Sequence, residues 1–350
     1  MNVLGRTEPA AAGPVARLGT YRAADGSQGG PVGLDLDRPH ASLVVGKRGY
    51  GKSHTLGVLA EGAARAAGVA PVIVDPMGEF GGLAAGSSAR VVDAPTVRAA
   101  TVPPAAWPAL FDLSPTDPVG ALLWEAAHAA ETLAAMVAHI DEAAVDDGVR
   151  RAARNHLRLV DSWDVFDPEG LDAASLLSDS ATVLDCSALD DRAASALVRS
   201  VVSGVYDACI AKRHDRLPWL LIDEAHVFFD GIAAPALETI LTRGRTPGVS
   251  LVAATQRPGA LPGAAISQSD LLIAHRLTAE ADVDALSRAT PTYLTGTLRD
   301  RLPTAPGGAV VVDDVTESVH GVQVRRRETP HGGADPRASD CRHDAGAQSR

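Results

Sequence analysis

The chain has 350 residues, 46% of them hydrophobic but only 4% aromatic, enough to fill one large core or two ordinary ones with Ala, Val and Leu. A net charge of −11, with Lys47, Lys52 and Lys212 the only lysines, argues against a nucleic-acid binder that works through its whole surface and leaves room for a narrow basic channel. Cys186, Cys209 and Cys341 are too few and too far apart for a disulfide framework or a CxxC metal site.

No basic-then-apolar leader opens the chain, and charge or proline interrupts every long apolar run, so the expected location is cytoplasmic with no membrane partner. Residues 1–40 are rich in Gly, Ala and Pro, with strand-like pieces at Ala16–Tyr21 and Val32–Leu36 that read as a short lead-in hairpin. The apolar run Leu43–Val45 then breaks into Gly46-Lys47-Arg48-Gly49-Tyr50-Gly51-Lys52-Ser53. This fits the P-loop spacing G-x-x-x-x-G-K-[ST], in which glycines let backbone N–H groups curl around a phosphate and the turn feeds a helix N-terminus. A helix is expected over His54–Ala67, with Leu56, Leu59 and Ala63 on one face and Gly68 ending it.

Pro71–Asp75 reads as a doubly covered parallel strand and Ala89–Asp93 as a shorter one, and prolines between Ala94 and Pro118 indicate a loop. Val119–Trp163 carries the pattern of two or three alanine-rich amphipathic helices, a helical insertion. Strands follow at Ala181–Cys186, Trp219–Glu224, Val249–Thr255 and Leu271–Ala274, with a helix over Asp191–Ala211, and Gly308–Val312 is expected to close the sheet. Beyond Arg325 the periodicity ends, and a disordered tail is expected. The pattern specifies an α/β fold, a mostly parallel doubly wound sheet with a helical insertion and ligands at the carboxyl ends of its strands. The domain reading is a lead-in over 1–40, a core over 41–325 with the insertion at about 119–163, and a tail over 326–350.

Gly46, Lys47, Arg48, Gly49, Tyr50, Gly51, Lys52, Ser53 and His54 form the candidate nucleotide-contact set, with Lys52 on the β/γ-phosphates and Ser53 on Mg²⁺. Four apolar residues ending in Asp223-Glu224 read as a Walker B strand, Asp223 holding Mg²⁺ through its water shell and Glu224 polarising the attacking water. Gln256, at a strand end beside the P-loop, is a candidate γ-phosphate sensor. Arg243 and Arg245 are candidate arginine fingers reaching a neighbouring subunit. His54 and His226 flank the two motifs without a partner at metal spacing and read as hydrogen-bonded structural histidines. In Asp75-Pro76-Met77-Gly78-Glu79-Phe80, the carboxylates either bind a metal-bound water or relay nucleotide state, or Asp75 and Gly78 stabilise a turn.

Together, Gly46–Ser53, Asp75–Phe80, Leu221–His226 and Ala253-Ala254-Thr255-Gln256-Arg257-Pro258 followed by Ile266-Ser267-Gln268 resemble the HerA-like branch of the HerA/FtsK superfamily of P-loop motor ATPases. The resemblance runs from about Gly33 to Val312. It implies a RecA-like P-loop NTPase core that binds ATP and Mg²⁺, a homo-oligomer of hexameric form, duplex DNA driven through its pore, and a nuclease partner in DNA-end processing. By the same resemblance Arg245 is the favoured trans finger, Arg243 standing where relatives often carry an acid. The N-terminal β-barrel and C-terminal brace of relatives are cut short here, and Arg38 and His40 stand near, but not in register with, an arginine that relatives place before the P-loop strand. Those departures keep open a second reading, an ATP-dependent switch that binds a protein partner and moves no nucleic acid.

Overall fold

A computed structural model of the chain describes residues 1–7, 13–23, 25–86, 89–178, 181–288, 293 and 297–331. Its organising element is a twelve-stranded sheet. In chain order the strands are β1 (Asn2–Leu4), β2 (Val15–Arg22), β3 (Gln28–Asp35), β4 (Ala41–Val45), β5 (Val69–Asp75) and β6 (Ala89–Val92). They continue as β7 (Ala181–Asp185), β8 (Leu217–Ile222), β9 (Ser250–Thr255), β10 (Leu271–Ala274), β11 (Gly308–Asp313) and β12 (Ser318–Val324). The spatial order is β1-β3-β2-β12-β11-β10-β4-β9-β8-β5-β7-β6.

From β10 to β6 all neighbours are parallel. These strands read as unbroken apolar runs because both faces are covered: every residue of β5 and β9 is buried. One face of the sheet, including Leu43, Val45, Val74, Leu220 and Ile222, packs against the helices Asp191–Ile210 and Ala234–Arg243. The other, including Val44, Ile73, Leu221 and Val252, packs against the helix Lys52–Arg65. The fold is thus the mixed α/β, mostly parallel P-loop architecture that the strand and helix pattern specifies.

The expectation that Gly308–Val312 closes the sheet is corrected. β11 runs antiparallel to β10 and is followed outward by β12, β2, β3 and β1. Ser318–Val324 escapes a reading by periodicity because most of its residues are only half-buried and a glycine sits in the middle. The two N-terminal strand-like pieces are therefore β2 and β3 of the same sheet, and the helix Lys52–Arg65 lies directly on β2. A Cβ at Gly62 would fall 2.5 Å from Cβ of Ala16.

The insertion holds three helices, Pro118–Ala129, Leu133–Glu142 and Asp147–Asp161, around its own core of Trp107, Leu123, Met136, Ile140 and Leu157. The helix Asp191–Ile210 is long and apolar enough to cross a membrane by length and composition, although Arg199 and Asp207 interrupt its apolar run. Its apolar face is instead consumed by the sheet, with Leu197, Val198, Val201 and Val205 all buried.

The reading of a disordered tail beyond Arg325 also changes. Residues 325–329 fold over the helix Lys52–Arg65, where the fully buried Glu61 carboxylate accepts hydrogen bonds from Arg325 Nη1 (2.7 Å), the Glu328 and Thr329 amides (2.9 Å each) and Thr329 Oγ1 (2.7 Å). Burial works against the charged form of Glu61, yet these donors hold its pKa below the ordinary glutamate value. Residues 332–350 lie outside the described residues.

Candidate active site

The strand order β4-β9-β8-β5 sets three chain ends side by side. Val45 pairs with Thr255 and Ile222 with Ala253, so Gly46, Gln256 and Asp223 leave the sheet within two residues of the same level. The Gly46 amide donates to the Thr255 carbonyl (3.3 Å) and the Asp223 amide to that of Val74 (3.3 Å).

In the loop, Gly49 and Gly51 take φ of 81° and 111°, left-handed conformations that a side chain would strain. Gly46 is required for another reason: a Cβ there would fall 2.7 Å from Cβ of His275. The helix starts at Lys52 with no side-chain cap, so its first amides are free to meet an anion.

Lys52 is buried, and its Nζ contacts Asp223 Oδ1 directly and Glu224 Oε1 at 2.9 Å. Burial favours the neutral amine, but the two carboxylates outweigh it and keep the pKa above the ordinary lysine value. Ser53 Oγ lies 3.4 Å from the same Nζ. Asp223 Oδ2 and Glu224 Oε2 are buried without a hydrogen-bond partner among the described residues. Two oxygens left bare in a wall that also holds the Ser53 hydroxyl suit a hydrated, oxygen-seeking divalent cation. Glu224 itself has φ 45° and ψ 40°, a left-handed conformation that glutamate adopts only when its surroundings impose it.

His226 Nδ1 sits 3.1 Å from Thr255 Oγ1 and 3.4 Å from Glu224 Oε2, and burial, the largest influence, lowers its pKa so that the ring is neutral. Gln256 is half-buried and its side chain bonds to nothing among the described residues, leaving its amide available. Lys47 Nζ lies 4.7 Å and Arg276 Cζ 5.4 Å from the Tyr50 ring centroid, a cation–π stack that caps the loop. Arg48 is exposed.

Other expected residues fall elsewhere. His54 Nε2 bonds the Arg325 carbonyl (2.8 Å), so its side chain anchors the C-terminal segment and is turned away from the loop. Both histidines that flank the motifs are thus hydrogen-bonded, as read from the sequence. Asp75 accepts from the amides of Met77, Glu79 and Phe80, and Gly78 has φ 69°, which is the turn reading of that segment. Arg243 and Arg245 are exposed at the entrance to β9, the end of the sheet remote from the loop, about 20 Å away along a six-residue strand. They cannot reach the loop of their own chain.

His275, at the end of β10, was not marked by the sequence. It is fully buried under the loop, donating from Nδ1 to the Gly308 carbonyl (2.7 Å) while Nε2 accepts from Thr55 Oγ1 (2.8 Å). Burial depresses its pKa to about 4, so it acts as a neutral wedge between Gly46, Gly51 and the first helical turn. A single polar residue after an apolar strand carries no periodic signal. Glu61 is likewise invisible to pattern reading, because it sits among apolar helix positions and its partners lie more than 260 residues away.

The family described as "Helicase HerA, central domain" matches residues 17–156 of this chain. Among solved structures, VirB4 of Thermoanaerobacter pseudethanolicus superposes with a TM-score of 0.67 at 17% identity, over 89% of this chain and 96% of that one. The bacterial conjugative coupling protein TrwBdeltaN70 superposes with a TM-score of 0.57 at 15% identity, over 89% and 90% of the two chains. No curated protein matches. At these identities the two structures speak for a shared fold, and the family match bears out the HerA resemblance carried by the motifs.

Proposed function

We propose that the chain, whose residues 17–156 match the family described as "Helicase HerA, central domain", is a Mg²⁺-dependent ATPase that works as an oligomeric, HerA-like motor on duplex DNA. The observation that carries the reading is the buried Lys52 lodged against Asp223 and Glu224 at the foot of the Gly46–Ser53 loop. Without nucleotide, the lysine contacts both acids and offsets part of their charge. When the phosphates of ATP enter the loop, the ammonium moves to them and the carboxylates are released for chemistry. Ser53 Oγ and the bare oxygen of Asp223 would hold Mg²⁺, which would supply charge neutralisation at the β/γ-phosphates.

The free amides at the start of the helix Lys52–Arg65 cradle the phosphates, and His275 keeps loop and helix in register. Glu224 orients a water for in-line attack on the γ-phosphorus and accepts its proton as ADP departs. Gln256 lies at the same level and senses the γ-phosphate by hydrogen bonding. Arg243 and Arg245 are remote from this site within one chain, which supports a role for Arg245 in trans at a neighbour's γ-phosphate and hence an oligomer. The family description, a helicase, supports a nucleic-acid track, while duplex DNA and DNA-end processing with a nuclease rest on the resemblance carried by the motifs.

Steady-state ATP turnover of the full chain, with and without duplex DNA across a salt series, tests the reading. Lys52→Ala is expected to lose nucleotide binding, whereas Glu224→Gln retains binding and loses hydrolysis. Mixing Arg245→Ala with Glu224→Gln subunits restores part of the activity if the arginine acts in trans. Turnover indifferent to DNA at low salt would overturn the motor and favour the nucleotide switch.

A further inference from the structure

A cavity of about 1,020 Å³ opens beside the Walker B turn, between the short helix Ala106–Ala109, the helix Asp191–Ile210, and the segments that follow Glu224 and Gln256. We propose that it binds a single carboxylate carried on an apolar body, held by Arg199, and that its occupancy is felt at Glu224. The proposed ATPase supplies only the second half of that statement; the binding half stands on the cavity itself.

Arg199 is what the protein alone leaves unexplained. Its Nε and Nη1 are shielded from solvent and meet no acceptor among the described residues. Burial is the main influence on the guanidinium and lowers its pKa, with Asp207 a weaker opposing charge that makes no hydrogen bond with it. Arg192, in the same wall, is by contrast already engaged with Asp112 at 3.0 Å. A half-buried guanidinium with two shielded nitrogens that meet no acceptor costs stability, and such a cost persists where a ligand supplies the missing partner.

The remaining walls define what that ligand is. Asp112, Asp191 and Asp230 line the same cavity and repel a polyphosphate or a nucleic acid. The surfaces between them are apolar, among them Leu110, Val227, Ile232 and Pro235. Arg192 is engaged with Asp112 and Arg257 is exposed to solvent, which leaves Arg199 as the shielded cation facing Asp191 and Asp230, so the fitting chemistry is a monocarboxylate with an aliphatic or aromatic body. A free small acid and an acidic side chain of a peptide flanked by apolar residues share that chemistry.

Coupling follows from the chain path. His226 and Val227 line the cavity two and three residues after Glu224, and Arg257 lines it directly after Gln256. His226 is within 3.4 Å of Glu224 Oε2, and Glu224 is held in a left-handed conformation by its surroundings alone. A ligand seated against the 225–230 turn therefore alters the placement of the catalytic carboxylate.

The test is calorimetric titration of the full chain with hexanoate, hexan-1-ol, inorganic phosphate and the amidated peptide acetyl-Leu-Ala-Glu-Leu-Ala, repeated on Arg199→Met. Hexanoate or the peptide is expected to bind at least tenfold more tightly than hexan-1-ol, the tighter of the two identifying the source. Arg199→Met should abolish that preference. The same substitution should raise the thermal midpoint of the ligand-free protein, because it removes two shielded donors that meet no acceptor. Equal affinity of hexanoate for the wild type and Arg199→Met, displacement of hexanoate by phosphate, or a lower midpoint in Arg199→Met would each overturn the site. ATP turnover that changes at least twofold on saturation with the bound acid, and does not in Arg199→Met, supports the coupling. Binding with unaltered turnover refutes the coupling alone, and absence of any turnover refutes the ATPase reading while leaving the binding result intact.

Discussion

Lys52→Met isolates the charge cluster at the foot of the loop, because methionine keeps the buried stem of the lysine and deletes only the ammonium. Lys52 Nζ is the cation that contacts both Asp223 and Glu224, and Lys52 and Asp223 are at most 6% exposed at their side chains. Removing one partner of a buried ion pair leaves uncompensated charge and typically costs about 3–5 kcal/mol. Two carboxylates depend on this one ammonium, so a loss at the upper part of that range is expected for the nucleotide-free protein. Adding Asp223→Asn and Glu224→Gln to Lys52→Met removes the stranded charge and should recover most of the loss, since replacing a whole buried ion cluster is often neutral. The assay is urea unfolding followed by circular dichroism, with stability from the midpoint and slope. Screening scarcely reaches a buried pair, so the loss should persist in high salt. A cost below about 1 kcal/mol for Lys52→Met, or no recovery in the triple variant, would refute the reasoning that nucleotide entry must break a strong internal ion cluster.

Three further outcomes are expected. His275→Ala strips hydrogen-bond partners from Thr55 and the Gly308 carbonyl, each worth about 1–3 kcal/mol when buried, and should weaken binding of a fluorescent ATP analogue at least tenfold while leaving the far-ultraviolet spectrum intact. His40 is buried with Nδ1 2.8 Å from Asp270 Oδ2; burial opposes its charged form, but Asp270 and Asp35 outweigh it and raise its pKa to about 9. Because the folded value lies above the ordinary 6.5, its contribution is complete below pH 6.5 and disappears as pH rises through 9, about 3 kcal/mol in all. Urea midpoints measured from pH 6 to 10 should therefore fall more steeply for the wild type than for His40→Gln, and parallel curves would refute the assignment. Glu61→Ala removes the acceptor that pins Arg325 and Thr329, so limited trypsin digestion should cut at Arg325–Arg327 well before the core is lost.

How much of this was legible in the sequence depends on the reach of each interaction. The parallel strands β4, β5, β8 and β9 were visible because burial on both faces writes an apolar run into the chain, and Gly46–Ser53 because two left-handed backbone positions and a lysine must fall at fixed spacing. β12 was hidden because its residues are half-buried, and β1 because three residues hold no period. The segment after Arg325 looked disordered because its partner, Glu61, belongs to the loop helix. Where Arg243 and Arg245 stand relative to the loop was likewise unreadable, since that depends on which end of β9 they enter.

The sequence by itself determined the chemistry of the site, because a phosphate cradle and an adjacent acid pair are local arrangements whose spacing is imposed by backbone geometry. Tertiary structure alone decided that Lys52 rests on those acids, that His275 wedges the loop, and that Nε and Nη1 of Arg199 meet no acceptor among the described residues in the wall of a cavity. Each joins residues brought together by the order of strands in the sheet, and that order is set by pairing and packing over the whole chain, which no local pattern records.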